Sequence, residues 1–133
     1  MGLEHFGIAI YAMLMAGLLP LGYSLLAKLA GGFRFADNAN PRAFLARTEG
    51  MAARAHAAEK NSYETLPFFF AAILMAQYMV VPQAVINKLA LAYVLLRVLY
   101  GLAYVLNFPA LRSILWTLAL ACPVLLLVIS AQS

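Results

Sequence analysis

The chain has 133 residues, of which 65% are hydrophobic and 11% are charged, and its mean hydropathy is +0.88. About a quarter of the residues in a soluble domain are charged, so this composition excludes an ordinary soluble protein and indicates a single membrane domain over residues 1–133. The formal net charge of +4 would suggest nucleic acid in a soluble protein. In a membrane protein it reflects the bias of cytoplasmic loops toward Lys and Arg, and we expect no nucleic-acid partner.

Four apolar segments, taken in chain order, predict four membrane-spanning helices. The first covers Phe6 to Ala27 and the second covers Ser62 to Val81. The third covers Leu89 to Leu106, and the fourth covers Ile114 to Ser130. At about 1.5 Å per residue, the first crosses a hydrocarbon core of about 30 Å. The last two are short for it, so we expect modest thinning of the bilayer or extension of these helices into flanking residues. We therefore predict an all-α fold, an integral membrane four-helix bundle.

The first span is predicted to be a retained helix. It is preceded by Glu4 and His5, where a secretion signal would have a basic segment, and its apolar run exceeds the usual length of such a signal. The same span also argues against one class of function, export of drugs. A small multidrug exporter needs a carboxylate deep in its first span for proton exchange, and Glu4 stands at the outer edge, so an exporter is disfavoured.

The first connection predicts a helix that begins in the cytoplasm. Asn40 has the side chain of an N-cap, and Pro41 suits the first helical position. Good helix formers follow, with Gly50 as the one weak point. We expect a single long rod from Pro41 into the second span, bent at Pro67.

Basic residues predict the orientation of the bundle. The third connection holds Arg112, and the second holds Lys88 as its one basic residue. Six of the nine basic residues lie in or beside the first connection: Lys28, Arg34, Arg42, Arg47, Arg54 and Lys60. The first and third connections together hold seven basic residues, and the second holds one. This bias places the first and third connections in the cytoplasm and both termini outside.

Polar chemistry enters the second span in the stretch RAHAAEKNSYE, residues 54–64. Asn61 and Glu64 lie three residues apart and share one helix face, at the point where hydrocarbon begins. A carboxylate there is costly unless it is paired or faces a protein-lined cavity, which makes Glu64 a candidate functional residue. The alternative is an interfacial side chain whose carboxylate reaches back to water.

The third span carries a matching polar stripe. Arg97, Tyr100 and Tyr104 are spaced by three and four residues, and Arg97 lies about 15 Å deep if the helix ends near Asn107. Since Glu64 is the one carboxylate at that depth, we predict that Glu64 and Arg97 share a polar cluster, within a subunit or across an interface. Alternatively, the tyrosines form an interfacial aromatic belt and Arg97 links helices.

The donors around this cluster predict the kind of ligand. Four cations surround it, namely Arg54, Lys60, Arg97 and Arg112, while Asn61 and Glu64 can hold an ammonium or amide group. This set suits a small zwitterionic solute with several carboxylates, and an apolar second substrate would approach from the lipid.

Other polar residues have simpler interpretations. Arg112 and Ser113 are alternatively a polar start to the fourth helix. Cys122 is expected to be inert, and the two histidines lack companions at metal-ligand spacing, so we expect no metal site.

Several motifs resemble a known superfamily over nearly the whole chain. These are NPR at the start of the second helix, RAHAAEKNSYETLPFFFA within it, and LLRVLYGLAYVL followed by ALRSILWT. The chain is similar to the membrane-associated proteins in eicosanoid and glutathione metabolism, the MAPEG superfamily, and especially to microsomal glutathione transferases. The resemblance implies a homotrimer of four-helix subunits. It also implies glutathione as co-substrate, bound between subunits near the cytoplasmic face.

The resemblance also implies roles for individual residues. Arg54, Asn61, Glu64, Arg97, Tyr100 and Tyr104 correspond to glutathione-binding positions, whereas Arg112 and Ser113 correspond to the pair that stabilises the thiolate or assists catalysis. Departures occur at Ala57, Lys60, Tyr100 and Trp116, where members of the family carry Arg, Arg, His and Tyr respectively. They argue against prostaglandin or leukotriene synthesis.

Two functions remain open from the sequence. The first is a membrane glutathione transferase or peroxidase acting on a hydrophobic electrophile or lipid hydroperoxide. A free thiol has a pKa of about 8.5, and a neighbouring Arg112 would favour the thiolate. The second is a non-catalytic membrane protein that binds lipids or small molecules. The absence of eukaryotic sorting motifs is compatible with the bacterial inner membrane.

Overall fold

The computed structural model describes residues 5–133, so Glu4 lies outside the described part of the chain. Four long helices and one short one make up the fold: α1 (Phe6–Gly31), α2 (Pro41–Ala46), α3 (Gly50–Tyr78), α4 (Gln83–Val105) and α5 (Pro109–Ala131). A 3-10 helix, Phe35–Ala39, precedes α2. The all-α prediction is confirmed.

Three helices are long and apolar enough to cross a membrane, namely α1, α4 and α5. With 23 residues each, α4 and α5 are about 35 Å long, which confirms the expected extension of the last two spans into flanking residues. Both helices begin several residues earlier than predicted because Pro82 and Pro109 stand at their starts and allow helix from there on. The second predicted span overlaps the second half of α3 from Ser62 to Tyr78, and the first half of α3 carries polar residues of the first connection.

The single rod from Pro41 was also wrong, because the helix is interrupted between α2 and α3. The N-cap prediction itself is confirmed: the backbone N–H of Ala43 donates to Asn40 Oδ1 at 3.1 Å, and Pro41 is the first helical residue. The break follows at Thr48, whose hydroxyl donates to the Leu45 carbonyl at 2.6 Å. Gly50 then has φ of 59°, a left-handed conformation that cannot continue a right-handed helix and that glycine adopts without steric cost.

Small residues let the long helices approach closely. A stripe on α1, formed by Ala9, Ala12 and Ala16, belongs to the same buried core as Ala72 and Ala76 of α3. Close packing of small residues is how helices associate in lipid, where the hydrophobic effect gives no preference for contact between them. The helix faces turned away from this core carry exposed side chains such as Ile10, Leu29 and Leu95, as expected for surfaces in contact with lipid.

Tyr23 fixes the position of α1 against α4 in the half of the bundle that carries the polar stripe. Its hydroxyl donates to the backbone carbonyl of Arg97 at 2.9 Å, and the pair is buried. The ring crosses α4 directly over Gly101, where a Cβ atom would overlap the hydroxyl. Gly101 is therefore required for this close approach.

Candidate functional site

Half of the predicted site residues line a cavity of about 380 Å³ at the end of the bundle where α4 turns into α5. Three helices contribute to its wall: α3 provides Asn61, α4 provides Tyr100, and α5 provides the remainder. The contributions of α5 are Arg112, Ser113, Trp116 and Thr117. Four of the eight predicted site residues thus meet at one cavity.

Asn61 is a polar group in this wall that its own chain leaves unsatisfied. Its Oδ1 atom is buried and has no hydrogen-bond partner among the described residues. A buried acceptor without a partner costs about 1–3 kcal/mol, so such atoms in native proteins call for an explanation. Because Asn61 lines the cavity, a ligand that reaches its amide group and donates to this oxygen would explain the missing partner.

Arg112 is held over the cavity by an aromatic contact. Its guanidinium carbon lies 4.5 Å from the ring centroid of Tyr104, within the range of a cation–π interaction. Tyr104 packs edge-on against Tyr100, with 5.8 Å between the centroids. The two tyrosines therefore help to hold the Arg112 guanidinium beside the cavity. This contact favours a role in the site over a simple interfacial aromatic belt.

Arg97 lies behind the cavity rather than in its wall. The side chain is 2% exposed, and its Nη2 donates to Ser62 Oγ at 3.1 Å. The guanidinium carbon stands 4.2 Å from the centroid of the Tyr100 ring, so Arg97 supports a residue of the wall. Its Nε atom is buried without a hydrogen-bond partner among the described residues.

Within one chain, Glu64 and Arg97 form no ion pair, since the partner of Arg97 is Ser62. Glu64 is exposed on the surface of α3. A shared polar cluster of Glu64 and Arg97, within a subunit or across an interface, stays a prediction.

Arg54 also lies outside the cavity wall. Its Nε donates to the carbonyl of Val105 at 3.0 Å, which satisfies one of the free carbonyls at the end of α4. In this position Arg54 ties α3 to the α4–α5 turn, and its predicted contact with a ligand stays a prediction.

Sequence reasoning missed two of the residues that complete the site. Ser62 holds Arg97, yet a serine beside Asn61 gives no signal of that partnership. Thr117 lies one helical turn after Ser113, and its hydroxyl donates to the Ser113 carbonyl at 3.0 Å. Its spacing of four residues from Ser113 could have identified it.

An apolar groove of about 300 Å³ continues from the cavity along α5. It shares Ser113 and Thr117 with the cavity wall and adds Ile114 and Leu118. Ile114 is 57% exposed and Leu118 is 49% exposed. A hydrophobic molecule in this groove would lie with one end beside the polar cavity.

The sequence model of the MAPEG family matches residues 8–132. The chain belongs to the MAPEG family. Comparison with curated proteins and with solved structures gives no match. Family membership, together with three helices able to cross a membrane, shows an integral membrane protein. It agrees with a membrane-associated role in glutathione or eicosanoid metabolism.

Proposed function

We propose that this MAPEG protein is a membrane-bound glutathione transferase or peroxidase. The observation that carries the proposal is the cavity that Asn61, whose buried amide oxygen has no partner among the described residues, lines together with Arg112 and Ser113. A peptide-like thiol offers N–H donors to Asn61 and, as its thiolate, an anion to Arg112. Family membership points to the same ligand.

In the proposed chemistry Arg112 pairs with the glutathione thiolate, which lowers the pKa of the bound thiol. Ser113, next to it, donates a hydrogen bond to the same sulfur. With an aryl chloride, the sulfur forms a bond to the ring carbon and chloride leaves. With a lipid hydroperoxide, two thiols are oxidised to a disulfide while the peroxide is reduced to an alcohol and water. The hydrophobic substrate would reach the thiolate from the lipid along the groove on α5.

The assembly proposed for this site is a homotrimer of four-helix subunits in which α3 also crosses the membrane. The cavity is open in a single chain, and Glu64 on the exposed surface of α3 is available to a neighbouring subunit. A second copy would add its own polar groups to the thiol. The thiol-binding roles of Glu64, Tyr100 and Tyr104 belong to this trimer.

The proposed location is the bacterial inner membrane, with both termini outside and the cavity facing the cytoplasm. The seven-to-one distribution of basic residues supports this orientation. Labelling of Asn38→Cys from the outer face of intact cells would contradict it.

The test of function is turnover of a chlorodinitrobenzene and of a lipid hydroperoxide by purified protein with glutathione. We expect saturable activity with at least one of them. Glutathione binding without turnover of either substrate would favour the second candidate, a non-catalytic binding protein. For that candidate the supporting observation is the groove, which suits a lipid chain whether or not chemistry follows.

A further inference from the structure

A second cavity, of about 440 Å³, lies on another face of α3, where α2 packs against it. From α2 it is lined by Arg42 and Leu45, and from α3 by residues that include Lys60 and Tyr63. None of its lining residues belongs to the wall of the candidate thiol site. It is thus separate from the proposed function and does not depend on it.

The charges that line this cavity favour an anion. Within the described part of the chain, neither Arg42 nor Lys60 takes part in an ion pair. The negative group in the wall, Glu59, is held by His56, whose Nδ1 lies 3.1 Å from Glu59 Oε1. Two unpaired cations therefore face the cavity, and its carboxylate already has a partner.

The position of the cavity points to the surface of the membrane. Lys60 and Tyr63 come just before the apolar run that starts at Leu66, and Tyr63 is 45% exposed. Tyrosine side chains favour the level of the lipid headgroups, and lysine side chains reach to that level from helix ends. The wall combines these polar groups with the aliphatic side chains of Leu45 and Ala46.

We infer that this cavity binds a phosphate group at the membrane surface, through Arg42 and Lys60. Arginine pairs with phosphate through two parallel N–H donors, whereas lysine acts as a point charge. Because the cavity has apolar walls and lies at the level of the headgroups, the expected source of the phosphate is an anionic phospholipid. Inorganic phosphate offers the same anion without the acyl chains.

The test measures the thermal stability of the purified full-length protein in a neutral detergent at constant ionic strength. Phosphatidylglycerol, phosphatidylcholine and inorganic phosphate are added separately. A ligand that binds the native state raises the melting temperature. We expect phosphatidylglycerol to raise it by several degrees, and Arg42→Gln to remove at least half of that rise.

Arg47→Gln is the matched control, since Arg47 is a cytoplasmic arginine that is paired with Asp37 and lies outside this cavity. It should keep the full rise. Lys60→Gln serves as a second variant if Arg42→Gln does not fold. A rise with inorganic phosphate alone that needs Arg42 would support the site and identify a soluble source.

Three results would overturn the inference. The first is the absence of any rise with either phosphatidylglycerol or inorganic phosphate. The second is a rise, with phosphatidylglycerol or equally with phosphatidylcholine, that Arg42→Gln leaves unchanged. The third is an equal loss in Arg42→Gln and Arg47→Gln, which would mean that general surface charge, and not this cavity, attracts the anion.

Discussion

The two ends of the bundle treat buried polar groups in opposite ways. At the α3–α4 connection the amides of Gln77 and Gln83 exchange two hydrogen bonds, of 2.9 and 2.8 Å. Gln83 also donates to Asn87, and Asn87 donates to the His5 carbonyl, each at 2.9 Å. We call these four residues the amide cluster. At the other end, Asn61 and Arg97 each keep one buried atom without a partner among residues 5–133.

The difference distinguishes polar groups that hold helices together from polar groups that are able to bind a ligand. In the amide cluster the partners come from the chain itself, so the cluster joins α3, α4 and the start of α1, and none of its buried side-chain atoms lacks a partner in the described part of the chain. Around the cavity, packing and aromatic contacts hold the polar groups in place while their hydrogen-bonding capacity stays free. Buried polar atoms without partners are rare in native proteins, so their position beside a cavity is the more informative observation.

The largest expected effect tests whether helix packing stabilises the end of the bundle that holds the candidate site. Gly101→Ala places a methyl group where the Tyr23 hydroxyl lies and breaks its hydrogen bond to the Arg97 carbonyl. Overpacking and the loss of a buried hydrogen bond should together lower the free energy of unfolding by about 2–5 kcal/mol. Thermal unfolding in detergent measures this. Gly22→Ala is the control, because nothing lies within 4 Å of a Cβ there; equal losses in both variants would contradict the account.

The next effect concerns the amide cluster. Asn87→Leu removes a fully buried amide that joins Gln83 to the His5 carbonyl. Leaving these groups without partners should lower the free energy of unfolding by about 1–3 kcal/mol. The dissociation constant for glutathione, measured on the folded fraction, should stay unchanged. A weaker affinity in this variant would mean that the two ends are coupled.

A third effect separates chemistry from binding at the cavity. Arg112→Ala should lower kcat by about tenfold or more, about 1.4 kcal/mol or more, because one charge-assisted contact to the thiolate is lost. Thiol affinity should change little. Arg47→Ala is the matched control, since that side chain is 66% exposed and paired with Asp37. Full turnover in Arg112→Ala with none in Ser113→Ala would transfer the catalytic role to Ser113.

The sequence was sufficient for features that depend on local chemistry. The Asn40 cap and the Pro41 helix start follow from side chains that satisfy a helix end. The stripe of Arg97, Tyr100 and Tyr104 follows from helical spacing, and these residues do lie together. Helical periodicity also brought Asn61 to the face of α3 that lines the cavity.

Features that depend on contacts between distant segments could not be predicted. The interruption before Gly50 requires a left-handed backbone, and a glycine within a run of good helix formers does not reveal it. The Ser62 partner of Arg97 lies 35 residues away. The amide cluster needs three helices to meet at one point, so Gln77, Gln83 and Asn87 appear in the sequence as separate polar residues.

The most direct test of the central claim is a calorimetric titration of glutathione into the purified protein and its Asn61→Ala variant. The account predicts saturable binding to the wild type and a dissociation constant about threefold to tenfold higher in the variant, because one hydrogen bond contributes about 0.5–1.5 kcal/mol. Asn38→Ala, on the exposed 3-10 helix, is the control and should bind like the wild type. No saturable binding to the wild type, or equal affinity in Asn61→Ala, would contradict the account.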